Sequence, residues 1–155
     1  MKKIGFLDKL KKEGKLELVE PSEEIKKSYI EKSESNLVSA KILFDNGKLE
    51  ESVALTYYSM YHALTALLFR IGVKSENHSA SIILLKRLFE IDNSDIESAK
   101  KERVDKQYYV DFEITKEQVK EAIKQAEKFN GKMIDFISRL TNESTLGYRE
   151  KFNLI

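Results

Sequence analysis

Two histidines, an arginine flanked by lysines and a pair of adjacent tyrosines are the groups in this chain with the strongest claim to chemistry. His62 lies in "ALTYYSMYHALTALLFR", residues 54 to 70, the densest aromatic stretch of the sequence. A lone histidine among bulky residues at helical spacing ties its helix to a neighbour through a hydrogen bond, or serves as a base or phosphate donor at a crevice between helices. His78 stands in a polar stretch beside Asn77 and Ser79, where a turn or capping role competes with a working one. "KKERVDKQYY", residues 100 to 109, sets Lys100, Lys101, Arg103 and Lys106 beside Tyr108 and Tyr109. Cations next to aromatic rings suit phosphates and stacked bases. The same residues would also suit a solvated helix end, with the cations complementing the helix dipole and the tyrosines covering the core.

Other chemistries find no support. The chain has no cysteine, which excludes disulfides, thiolate metal sites and a cysteine nucleophile. The histidines are sixteen positions apart and neither belongs to a metal-ligand pair, so no metal and no cofactor are expected. The glycines are isolated, with no phosphate-cradling loop, and no serine sits in a nucleophile elbow. Net charge is +1, so a polyanion would need a local patch. No apolar run is long enough to span a membrane, and the N-terminal stretch lacks the apolar region of a signal peptide; a cytoplasmic protein without membrane contact is expected.

The elements that must position these residues are helices. The chain of 155 residues is 41% hydrophobic and 34% charged, with one proline and six glycines, too few turn residues for an all-β domain. Residues 3–13 predict a short amphipathic helix with Ile4, Leu7 and Leu10 on one stripe, followed by a linker, "KLELVEPSEE". A first long helix is expected from Ser22 to Asp45, with Ile25, Tyr29, Asn36, Leu37, Ala40, Leu43 and Phe44 at helical spacing. A second runs from Lys48 to Ile71, and its wide apolar face marks it as the most buried; Gly72 closes it. A polar loop, "VKSENHS", leads to a third helix over residues 80–90 capped by Ser79. A short polar helix over 95–103 opens with a Ser94–Glu97 capping box, and "VDKQYYVDFEI" reads as extended or irregular. Thr115 and Gln118 form another capping box that opens a long helix over 116–140. The resulting fold class is all-α, an antiparallel up-and-down bundle of four to five helices. Residues 1–21 form a short helix and linker, 22–140 the bundle, and 141–155 a tail that is partly ordered at best.

Taken in order, these segments resemble the bacterial and archaeal HEPN family, the "higher eukaryotes and prokaryotes nucleotide-binding" domain. Tyr57, Tyr58, Tyr61, His62, Ala63, Gly72 and His78 fall where members carry a Tyr-Tyr-x-x-aromatic-His-Ala helix, a glycine turn and a loop histidine. "RVDKQYYVDFEITKEQVKEAIKQAEKF" matches the family's arginine, short gap with a tyrosine and long final helix, so the resemblance covers residues 25 to 140. It implies a helical bundle that is usually a homodimer. It also implies a minimal nucleotidyltransferase as partner in a toxin–antitoxin pair, and a nucleotide or RNA as ligand.

Some members of the family are metal-independent ribonucleases, with an arginine, four to six intervening residues and then a histidine. Here Arg103 is followed at that distance by Tyr108, and Arg70 and His78 are too far apart. A tyrosine with an ordinary pKa near 10 is a poor general base at neutral pH. The expectation is therefore a nucleotide- or RNA-binding module with a degenerate ribonuclease motif, using Arg103, Lys106, Tyr108, Tyr109, His62, His78 and Tyr58. The alternatives are a metal-independent endoribonuclease toxin, with Arg103, Tyr108 and His62 as candidate catalytic residues, and a non-catalytic bundle that binds only protein.

Overall fold

The computed structural model describes residues 5–108 and 113–155, with the backbone alone for 104–108. Its helices are α1 (Phe6–Lys12), α2 (Glu23–Asp45), α3 (Leu49–Ile71), α4 (His78–Arg87), α5 (Ser94–Tyr108), α6 (Lys116–Ser138) and α7 (Asn142–Leu154). Two three-residue strands, β1 (Leu16–Leu18) and β2 (Val73–Ser75), pair antiparallel. The expected all-α bundle is what the chain forms. No helix among the described residues is long and apolar enough to cross a membrane.

The longest helices start and stop where local chemistry requires. Ser22 caps α2 by accepting from the Ile25 amide at 3.0 Å, and Thr115 and Gln118 form the expected reciprocal box at the start of α6. A two-residue turn after α2 sends α3 back along it, and this pair makes the most extensive helix contact of the fold. Helix α3 is buried on nearly every side: Tyr57, Met60, Leu64, Ala66, Leu67 and Ile71 are at most 1% exposed. It is the central helix, with α2, α5 and α6 packed around it.

Four expectations need correction. The linker contains β1, whose Leu16 is buried and pairs with Ser75 of the supposed polar loop; three-residue strands are too short to show alternation in sequence. Helix α4 is capped by Asn77, whose Oδ1 accepts from the Ala80 amide at 2.9 Å, and not by Ser79, two residues further on. Asn and Ser cap equally well, so composition could not separate them. Helix α5 continues past Arg103 to Tyr108, so residues 104–108 are helical and not extended. It also begins at Ser94, whose amide donates to Asp92 Oδ1 at 3.1 Å.

The fourth correction concerns the tail, which is helix α7. Its Thr141 and Ser144 cap each other, and Phe152 is buried. Tyr148, Phe152 and Ile155 lie at helical spacing and pack on the core, and two cations fix the helix further by donating to backbone carbonyls. Lys11 Nζ donates to the carbonyls of Phe152 and Ile155 at 2.8 and 2.6 Å. Arg149 Nη1 donates to Val19, Ile71 and Gly72 carbonyls at 2.7, 3.0 and 3.1 Å, satisfying the end of α3. Of the predicted N-terminal stripe, Leu7 and Leu10 are buried, and Ile4 lies outside the described residues.

Gly72 makes this junction possible in two ways. Its φ of 84° is a left-handed conformation, and a Cβ there would meet the Arg149 guanidinium, the Val19 carbonyl and, at 2.9 Å, the Pro21 nitrogen. Gly47 has a similar φ of 74° but open space around it. Gly47→Ala should cost about 1–2 kcal/mol, the left-handed penalty alone. Gly72→Ala should cost about 2–4 kcal/mol, because overpacking adds to that penalty. Urea unfolding of the two variants measures the difference, and equal losses would contradict the packing of Arg149 on this turn.

Candidate nucleic-acid interface

The register of α2 against α3 decides which side chains meet. Ser33 Oγ donates to the Ser59 carbonyl at 2.7 Å, and Ser59 Oγ donates to the Ser33 carbonyl at 2.8 Å. Ser52 Oγ donates to the Ala40 carbonyl at 2.7 Å, and Asn130 of α6 donates to Ser59 Oγ at 2.8 Å. All four polar residues are buried. Beside this lock, Tyr29, Lys32 and Asn36 lie on successive turns of α2 and face Tyr58 and His62 of α3.

His62 is half-buried and its Nδ1 lies 2.7 Å from Asn36 Oδ1. A carboxamide oxygen only accepts, so Nδ1 carries the hydrogen. The neutral ring then presents Nε2 as a bare acceptor. The rings of Tyr29 and Tyr58 pack beside it, with centroids at 5.7 and 6.2 Å. Burial, with smaller contributions from the charges of Lys32 and His78, lowers the His62 pKa to about 4. The ring is neutral across the physiological range.

His78 is the first residue of α4, brought to α3 by β2 and the Asn77 cap. Its ring stacks on Tyr61 at 3.7 Å between centroids, and its Nδ1 lies 2.8 Å from the Tyr57 hydroxyl. Tyr57 is fully buried, and burial pushes its pKa up, so the hydroxyl keeps its proton. Donation to Nδ1 satisfies that proton, and His78 is then protonated at Nε2. The Tyr61 hydroxyl lies 3.1 Å from Ser81 Oγ. Burial, then Arg103 and Lys100, lowers the His78 pKa.

Arg103 approaches from α5. Its guanidinium carbon lies 5.4 and 5.3 Å from the ring centres of Tyr57 and Tyr58, and its Nη1 donates to the Tyr58 hydroxyl at 3.2 Å. One turn earlier, Lys100 donates to Ser79 Oγ. Next to this cluster a groove of about 350 Å³ runs between α2, α3 and β2, lined by His62, His78, Tyr61, Lys32 and Lys74. Glu76 borders it and pairs with Lys74 at 3.5 Å. Among the described residues no group of three or more acidic or histidine side chains could hold a metal.

The fold therefore brings together Arg103, Tyr58, His62 and His78, four of the residues singled out in the sequence. The side chains of Lys106 and Tyr108, and the whole of Tyr109, lie outside the described residues. Sequence reasoning missed Lys32 and the role of Asn36. Asn36 does carry a signal, since a polar residue on the core-facing stripe of a helix needs a partner.

Residues 26–135 match the HEPN domain. The chain belongs to the HEPN family. A UPF0332 protein of Pyrococcus horikoshii is 45% identical over 60 residues, 39% of this chain and 42% of that protein. A protein of Methanocaldococcus jannaschii named "Putative toxin" is 32% identical over 109 residues, 66% of this chain and 81% of the relative. The chain thus spans less than half the length of the first of these relatives and most of the second.

The depressed His62 pKa links this HEPN site to stability. The unfolded ring, with its ordinary pKa of 6.5, takes up a proton that the folded ring refuses until about pH 4. The stability this group contributes is complete above pH 6.5 and is lost as pH falls toward 4. Chemical denaturation between pH 7 and 5 should show a shallower loss in His62→Gln than in the wild type.

Proposed function

We propose that this HEPN protein binds RNA, or a nucleotide, through phosphate and ring contacts on the face built by Arg103, Tyr58, His78 and His62. We further propose that it works as one half of a toxin–antitoxin pair, as a homodimer, with a nucleotidyltransferase as its partner. The observation that carries the ligand reading is the position of Arg103. Its guanidinium is fixed over two tyrosine rings, with Lys100 one turn away and His78 beside it. Guanidinium forks suit phosphate oxygens, and half-buried Tyr58 offers its ring to a base. The name of the Methanocaldococcus relative supports the toxin side of the reading.

A metal-independent endoribonuclease is the second reading, favoured by the two imidazoles that line one groove. A ring with a pKa of about 4 is a weak general base at neutral pH, and the position that usually bears the ribonuclease histidine holds Tyr108. Binding therefore ranks above cleavage.

Fluorescence anisotropy with a single-stranded RNA tests the binding reading. Arg103→Ala should weaken binding by about 10- to 100-fold, the range for a charge-assisted hydrogen bond, and should flatten the salt dependence. Unchanged affinity in a folded variant would contradict it. RNA cleavage in EDTA that disappears in Arg103→Ala would instead favour the enzyme.

A further inference from the structure

The two imidazoles on this face are presented in opposite senses. With the protonated Tyr57 hydroxyl as donor, His78 accepts a hydrogen bond at Nδ1 and so offers an N–H at Nε2. His62 gives its Nδ1 hydrogen to Asn36 and so offers a lone pair at Nε2. No side chain among the described residues hydrogen-bonds to that atom, and it is not among the buried orphans, so it meets solvent where His62 lines the groove. A neutral acceptor is the wrong partner for a phosphate oxygen, which also only accepts. It needs a ligand group that donates.

The surroundings narrow the choice further. Lys32, exposed on α2, is close enough to His62 to perturb its titration and lies 5.9 Å from the Tyr29 ring. An ammonium only donates. A group seated between Nε2 and Lys32 must therefore donate to one and accept from the other, as a hydroxyl does. A base amine lacks the accepting half, and a phosphate lacks the donating half. A base edge supplies donor and acceptor from two neighbouring atoms and only for some bases, whereas the ribose 2′-hydroxyl combines both at one atom in every ribonucleotide, and it is also what distinguishes RNA from DNA.

We propose that His62, oriented by Asn36, accepts a hydrogen bond from a ribose 2′-hydroxyl and so makes this face prefer ribonucleotides to deoxyribonucleotides. The inference rests on the proposed nucleic-acid-binding reading and adds the sugar to it. His62 is the specificity residue and Asn36 the positioning residue that fixes its tautomer.

The test compares one single-stranded sequence as RNA, as DNA and as 2′-O-methyl RNA. The methyl ether keeps the accepting oxygen and loses the donated hydrogen. RNA should bind about 3- to 10-fold tighter than either of the others, the range for one hydrogen bond. His62→Leu should abolish that preference, and His62→Gln, which retains an accepting oxygen, should restore part of it. Nitrogen NMR of the His62 ring should report hydrogen at Nδ1 in the wild type and a shift toward Nε2–H in Asn36→Leu. Equal binding of all three oligonucleotides, each weakened by Arg103→Ala, would overturn the ribose assignment while leaving phosphate binding intact. Equal binding that Arg103→Ala leaves unchanged would overturn both. A preference for RNA that survives His62→Leu in a folded protein would also overturn the assignment.

Discussion

The buried serine contacts between α2 and α3 are the constraint on which the rest of the molecule depends. Small side chains let the two helices approach closely, and each hydroxyl then finds a backbone carbonyl of the opposite helix. Asn130 ties α6 into the same point. A slip of one residue would turn a helix by roughly 100° and leave buried hydroxyls without partners, at about 1–3 kcal/mol each. It would also part Asn36 from His62. The polar lock in the core and the polar pair at the surface are therefore set by one register.

The site follows from how completely α3 is buried. Its apolar residues are covered by α2, α5 and α6, and Tyr58 and His62 emerge along one edge, where the start of α4 and the side of α5 meet it. That edge gathers Lys32, Lys100 and Arg103 around aromatic rings. The larger groove, about 490 Å³ between α5 and α6, has the opposite character, with Asp95, Glu102, Glu117 and Glu121 among its lining residues. A polyanion would be repelled there, and on our proposal it docks at the edge of α3 instead. A chain of net charge +1 can thus discriminate between its own surfaces.

Much of this was legible in the sequence. The three long helices declared themselves through periodicity, through the Ser22 cap and the Thr115–Gln118 box, and through Gly72. His62 and Arg103 stood out as unusual residue types in their segments. The rest was hidden for identifiable reasons. The β1–β2 pairing is too short to leave a pattern. Helix α7 packs only Tyr148, Phe152 and Ile155 on the core, and Arg149 and Lys11 fix it by donating to distant carbonyls, which no local spacing encodes. Asn36 read as one more position on a stripe, because its meaning depends on His62, twenty-six residues away. The direction of each imidazole depends on its second partner, Asn36 in one case and Tyr57 in the other, and neither is a sequence neighbour.

Chemical-shift mapping would test the central claim most directly, by titrating a short unstructured RNA into nitrogen-15-labelled protein. If the edge of α3 is the interface, the perturbed amides should cluster at residues 29–36, 57–62, 78–79 and 100–103, while the rest of the acidic groove between α5 and α6, residues 94–98 and 117–125, stays silent. Perturbations centred on that groove or on α7, with no change at those clusters, would contradict the claim.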